Sequence, residues 1–252
     1  MNPKLPPLFV CLSVLSAFAT ESRAELAMIA KARAYLGSES ALEAVKSVHY
    51  RGTLVTANPD EPAKPLRAAL EIVFQKPTQQ RIDVAYEKSI EQTALDGYDA
   101  WQRQQDPADT SKWRQTLLSA DQIKRLRANT AENLYFFRAP DRQGGRIESL
   151  GAVTMDGVAC EKIAFTHGPD IVFTRYFETA TGRLVLTETE AGGAIREEGE
   201  TRVNGVRFPK AIVTVTKTAD GKTQTVTINF DKITVNEIFP ASFFAVPALS
   251  AR

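Results

Sequence analysis

From Val48 onward, apolar side chains recur at every second position, and turn signals built on glycine, proline or asparagine interrupt them at roughly 10–15-residue spacing. A chain patterned this way has few options. Period-two alternation gives each strand one apolar and one polar face, and tight turns between strands join them antiparallel. In VHYRGTLVT, Val48, Tyr50, Gly52 and Leu54 alternate with His49, Arg51, Thr53 and Val55. In LRAALEIVFQKP, Leu70, Ile72 and Phe74 share a face, and in QQRIDVAYEKS Ile82, Val84 and Tyr86 do. Asn58 to Pro65 reads as a loop, and Asp96-Gly97 as a tight turn leading to Tyr98 and Trp101. After a loop at Asp141–Arg146, a meander follows. Its hairpins are marked by Asp156-Gly157, Gly168-Pro169, Thr181-Gly182, Gly192-Gly193, Asn204-Gly205 and Asp220-Gly221.

Only two stretches break the alternation. Glu25 to Ser47 is Ala-rich and carries Leu26, Ile29 and Ala30 at helical spacing, with Gly37 as an interruption and Ser38 or Ser40 as a second cap. Ser119 to Asn133 has an N-cap at Ser119 or Asp121, with Ile123 and Leu126 on one face, and runs into the aromatic segment Leu134-Tyr135-Phe136-Phe137. The fold class expected is mainly β with helices (α+β). It is a curved antiparallel sheet of about ten or eleven strands, an incompletely closed β-barrel whose mouth the helices cover. So little helix cannot fill a sheet this wide, so an apolar interior is expected.

The first residues bear on compartment. A basic start at Met1–Lys4, the apolar run LPPLFVCLSVLSAFA and small residues at Ala17-Phe18-Ala19 or Ser22-Arg23-Ala24 read as a secretory signal over residues 1–24, with cleavage after Ala19 or Ala24. Cys11 lies within the apolar run rather than at its end, which argues against lipidation. The expected mature unit is then one domain, residues 25–252, soluble in the periplasm. Cleavage removes Lys4, Arg23 and Glu21, and from 31 basic and 30 acidic residues this leaves the two signs equal. A balanced surface excludes nucleic acid as partner, because polyanions need a basic one. One cysteine remains, Cys160, so no internal disulfide can form.

Catalytic signals are missing from the sequence. No G-x-S-x-G, P-loop, H-E-x-x-H or G-x-G-x-x-G pattern occurs. His49, on the outward face of the first strand, and His167, in a turn, read as surface histidines, with no metal site and no cofactor implied. Cys160, mid-strand in VACEKIAF, reads as a buried inert thiol. Glu197, Glu198 and Glu200 read as a solvated strand flanked by Arg196 and Arg202, with Glu197 and Glu198 on opposite faces. Lys124, Arg125 and Arg127 read as the wet face of the mid-chain helix.

Several segments, taken in order, resemble one family. These are ARAYLGSESALEAVKSVHYRG, LDGYDAW, MDGVACEKIAF, FETATGRLVL, NGVRFPKAIV and the ending TVNEIFPASFFAVP. Together they are similar to the periplasmic LolA/LolB lipoprotein-carrier superfamily across nearly the whole mature chain. The resemblance implies a half-open barrel with a helical lid over a hydrophobic cavity, and a ligand that is a lipid or a lipoprotein acyl chain. The expected function is non-enzymatic binding and carriage, by a monomer with a transient inner- or outer-membrane protein partner. The alternative is an envelope-stress sensor or assembly protein that uses the sheet to bind another protein. Neither an acceptor-type Leu-bearing loop nor a lipoprotein signature is present. The residues expected to form the cavity and lid are Leu70, Ile72, Phe74, Ile82, Val84, Trp101, Leu134, Phe136, Phe137 and Phe173.

Overall fold

A computed structural model describes residues 26–57, 64–140, 144–218 and 221–247. The signal expected at residues 1–24 lies outside the described residues, as do most of the loop expected at 58–65, half of that at 141–146, and Asp220 of one turn. The chain opens with α1 (Ala27–Leu36) and α2 (Glu39–Glu43), then β1 (Ser47–Thr56), β2 (Leu66–Gln75), β3 (Gln79–Ala85), β4 (Ile90–Asp96), β5 (Asp99–Gln105) and β6 (Trp113–Leu117). After α3 (Ala120–Tyr135) come β7 (Arg146–Met155), β8 (Val158–Gly168), β9 (Ile171–Glu178), β10 (Leu184–Thr189) and β11 (Ala194–Glu198). The small strands β12 (Thr201–Val203) and β13 (Val206–Phe208) precede β14 (Ala211–Lys217) and β15 (Thr223–Val235).

Thirteen strands form one antiparallel sheet in the order β6-β5-β4-β3-β2-β1-β15-β14-β11-β10-β9-β8-β7. The described residues hold fifteen strands in all, more than the ten or eleven expected, for two reasons. Trp113–Leu117 adds an edge strand the sequence pattern hid, and the Asn204-Gly205 hairpin forms a separate two-stranded sheet of β12 and β13. The large sheet does not close, since β6 and β7 each pair on one side only. Its centre is the pairing of β1 with β15, from Val48 opposite Val235 to Thr56 opposite Val226, with a bulge at Arg51/Gly52. Gly52 is required there, because a Cβ at this position would lie 1.9 Å from the Asn229 carbonyl oxygen. Two wings therefore extend from the seam, β2–β6 on one side and β14 back to β7 on the other.

The register assigns the faces. Tyr50, Ile72, Ile82 and Thr93 stand in one row across β1 to β4, and Ile228, Ile212 and Glu197 in another across β15, β14 and β11. The three α-helices pack on this inner face. α1 sets Met28, Ile29 and Ala32 against Ile147, Ile163, Phe165 and Phe177, and the β9–β10 turn is drawn so close that a Cβ on Gly182 (φ +80) would lie 2.7 Å from the Lys31 backbone. α2 and the β12–β13 hairpin place Leu42, Val45, Val206 and Phe208 on a second core with Val48, Leu70, Ile72 and Phe74.

The outer face of the first wing is also covered. After β15, Asn236 accepts a hydrogen bond from the Lys46 N–H (2.7 Å) and donates to the Ala44 carbonyl (3.1 Å), turning the chain back across the sheet. Trp101 then donates to the Phe244 carbonyl (3.0 Å), Arg81 donates to that of Phe243 (2.9 Å), and Phe244 is fully buried. That tail explains why Val73, Ala94 and Trp101, which point away from the helices, are as dry as the core.

Candidate functional site

α3 is a strut across the inner face. Its start carries a capping box, with Ser119 accepting from the Gln122 N–H and the Gln122 side chain accepting from the Ser119 N–H. On one side Asn129 and Thr130 donate to Gln80 of β3 (3.1 and 3.0 Å). On the other, Glu132 reaches His167 of β8 and Arg175 of β9. The helix ends on two consecutive non-glycine residues with positive φ, Phe136 (47°) and Phe137 (71°), a conformation that costs on the order of 1–3 kcal/mol for each residue. The bend sends the two rings apart. Phe136 packs with Phe208 in one core, and Phe137 packs with Phe165 and Phe177 in the other. Arg33 of α1, fully buried, donates to the Tyr135 and Phe136 carbonyls (3.0 and 2.6 Å) and pairs with Glu39 (2.7 Å), so the last turn of α3 is tied to α1.

Between α3, α1 and the centre of the sheet lies a cavity of about 220 Å³. Its apolar wall includes Leu36, Phe136, Phe137, Phe173, Ile195 and Ile212, and its polar wall includes Tyr50, Glu132, Arg175 and Glu197. The Glu132 carboxylate takes His167 Nε2 (2.5 Å) on one oxygen and the Arg175 guanidinium on the other, with all three side chains buried. Burial is the largest influence on this carboxyl and would raise its pKa, but Arg175 and His167 together outweigh it and hold the group below the usual carboxylate range. Arg175 also lies over the rings of Phe165 and Phe137, at 4.5 and 5.2 Å from their centroids. Its Nε, like His167 Nδ1, is enclosed without a hydrogen-bond partner.

Glu197 differs from its neighbours. The register places it on the inner face opposite Ile212, with Glu198 on the other side. Its side chain lies on the cavity wall and is exposed to solvent, and the protein packed around it still raises its carboxyl pKa, with Arg175 opposing. Tyr50 shares the space, and burial, then the Glu197 charge, raise its hydroxyl pKa. Neither side chain has a hydrogen-bond partner among the described residues. Outside the strut, a cleft of about 680 Å³ lies between Tyr98, the first half of α3 and the β8–β9 turn, with His167 in its wall.

The ten expected site residues divide by position. Phe136, Phe137 and Phe173 line the cavity. Leu70, Ile72, Phe74 and Leu134 lie on the inner face or against it, packed solid beneath α2, α3 and the β12–β13 hairpin, while Ile82 and Val84 sit half-buried at the margin of that core. Trp101 does not join them. It stands opposite Ala94, in the row of Arg81 and Val73, on the outer face under the tail. An aromatic residue next to a hairpin was assigned to the apolar side, but here both sides are apolar.

The histidines also differ from expectation. His49 is on the outward side, as the alternation says, but buried at 2%, with its two nitrogens facing Glu237 (2.7 Å) and Glu71 (2.6 Å) and its ring edge on Phe239. His167 is buried through Glu132. The acidic run is exposed, as expected; within it Glu197 also lines the cavity and Glu200 pairs with Arg207. Cys160 is buried, and burial together with the nearby Glu178 carboxylate holds its thiol above the ordinary range. Sequence reasoning missed Tyr50, Glu132, Arg175 and Glu197 as a group. The available signal was Glu197 itself, an acidic residue in register with isoleucines.

No protein-family model matches the sequence, and no curated protein does. Solved structures do match in fold. A LolA superfamily protein from Nitrosomonas europaea superposes with a TM-score of 0.55 at 14% identity, covering 84% of this chain and 98% of that one. A domain named for outer membrane lipoprotein sorting, from Vibrio parahaemolyticus, gives 0.54 at 8% identity over 86% and 95% of the two chains. A DUF1329 family protein from Desulfovibrio piger gives 0.53 at 8% identity over 87% and 96%. The chain has a LolA-like fold, and no helix among the described residues is long and apolar enough to cross a membrane.

Proposed function

We propose that this LolA-like half-barrel is a non-enzymatic periplasmic carrier, residues 25–252 after loss of a signal at 1–24, that holds lipid or lipoprotein acyl chains against its inner face. One observation carries the reading. The inner face keeps half-buried apolar side chains, with Leu54, Ile82, Val84 and Ile228 at the edge of the core and Ile212, in register with Ile228 and Leu54, in the cavity wall. Each methylene moved from water onto such a surface is worth ~0.8 kcal/mol, so a single acyl chain suffices for useful affinity. The cavity of about 220 Å³ is smaller than the roughly 300–1,000 Å³ of pockets for drug-sized ligands. It corresponds to the closed state, and a whole chain enters when α3 lifts. The Arg33 ties and the strained Phe136–Phe137 bend are the parts that release. Hand-over then follows differential affinity at a membrane partner.

The test is lipid analysis by mass spectrometry of protein purified from a periplasmic extract without detergent. Acyl species at one per protein support the reading when they are lost in Thr214→Trp, which fills the cavity from a half-buried wall position, while that variant melts no lower than the parent. A folded, lipid-free protein that also ignores added fluorescent fatty acid overturns it. The sheet would then serve protein binding, and the exposed Trp113 and Leu117 on the unpaired edge β6 are where a partner would be sought.

A further inference from the structure

We propose that Tyr50 and Glu197 form a head-group subsite inside the cavity, which takes a hydrogen-bond-donating group of an amphiphile (hydroxyl, amide or ammonium) in preference to a carboxylate or phosphate. This rests on the acyl-carrier reading and names the class of molecule the same cavity accepts. A wall that met only methylene groups would have no use for a buried phenol without a partner next to an exposed carboxylate of the same cavity, and buried polar groups are retained where something satisfies them. The two lie on one face, on β1 and β11, with β15 and β14 between them. Around them Phe136, Phe137, Phe173 and Ile212 provide the apolar surface that an attached chain needs.

The charges select the head group. Among the described residues two cations line the cavity and both are already committed: Glu132 holds one terminal nitrogen of Arg175, Phe165 and Phe137 lie against its plane and its Nε is sealed off, while Arg207 pairs with Glu200 and donates to the Tyr35 carbonyl (2.9 Å). An incoming carboxylate would have to displace Glu132 from Arg175 or Glu200 from Arg207 and then sit beside Glu197, like charge against like charge. A donor meets the opposite situation. Glu197 offers acceptor oxygens with no partner among the described residues, Tyr50 offers a hydroxyl that accepts or donates, and the ligand's N–H or O–H can bond both.

The experiment uses the full chain and three ligands that share one hydrocarbon chain, oleyl alcohol, oleylamine and oleate, each displacing a pyrene-labelled alkane. The parent protein is expected to bind the alcohol and the amine about tenfold more tightly than oleate, the size of one charge-assisted hydrogen bond. In Glu197→Gln that preference falls to within about threefold while the alkane probe still binds. Tyr50→Phe is the second variant, expected to weaken the alcohol by about threefold or more and to leave oleate unchanged. Equal binding of all three ligands by the parent, or an unchanged preference in both variants, overturns the subsite and leaves the carrier reading standing. Failure of the alkane probe and of every ligand to bind overturns both.

Discussion

At the scale of single residues, the two cavity carboxylates are predicted to behave oppositely. Glu132 is held below its ordinary value of 4.5, so its contribution to stability is full above that value and is lost as the pH falls beneath it. Glu132→Gln leaves the buried Arg175 charge unpaired and is expected to cost about 3–5 kcal/mol at neutral pH by urea denaturation. The gap to the parent narrows once the pH drops below 4.5. Glu197 is raised, so the folded state bears a penalty for its charge only above the ordinary value. Glu197→Gln is therefore expected to raise the urea midpoint at pH 7 only slightly, because solvent screens the exposed side chain, and to match the parent in acid. A midpoint lowered at pH 7 would place the carboxylate in a stabilising role instead. Alternation predicted that Glu197 and Glu198 diverge, as they do, but a period of two says only which residues share a face. Whether a polar residue on the inner face meets water or a partner depends on α3, whose Glu132 lies 65 positions earlier in the chain.

At the scale of elements, the helices were the most legible parts. The break at Gly37, the cap at Ser119 and the aromatic run closing α3 all follow from local chemistry, and the helix bounds fall within four residues of expectation, the largest gap being α2, which stops at Glu43 rather than Ser47. Ser119→Ala removes a capping box and is expected to cost about 1 kcal/mol in thermal or urea unfolding. The tie between helices was not legible, because Arg33 meets carbonyl groups 102 and 103 positions away. Arg33→Met leaves those carbonyls unsatisfied at a buried helix end, so the final turn of α3 is expected to exchange its amide hydrogens faster, at a cost of about 2 kcal/mol. If exchange there is unchanged, α3 is fastened by its sheet contacts and the lid must open elsewhere. The strands show the converse limit: β6 holds five residues, with its ends exposed, and gives too short an alternation to stand out.

At the scale of the whole molecule, the sheet has two dry faces on its first wing, and the sequence contained the reason in its final segment. Phe239, Phe243 and Phe244 read as a tail, yet they are the cover for Trp101, Val73 and His49. Phe244→Ala is expected to cost about 3–5 kcal/mol and to leave acyl binding intact, because it acts on the face opposite the cavity. Loss of binding without loss of stability would mean that the two faces communicate through the sheet. The pairing at the centre has its own consequence. β1 joins β15, so the contacts that hold the wings together link positions such as 48 and 235, among the most distant in the chain. Such contacts form late, since the loop they close is long. A ribosome that has not yet released β15 holds two unattached hairpin arrays with bare edges where the seam will be. The central seam is then expected to close only after synthesis ends, a schedule that agrees with the export proposed above.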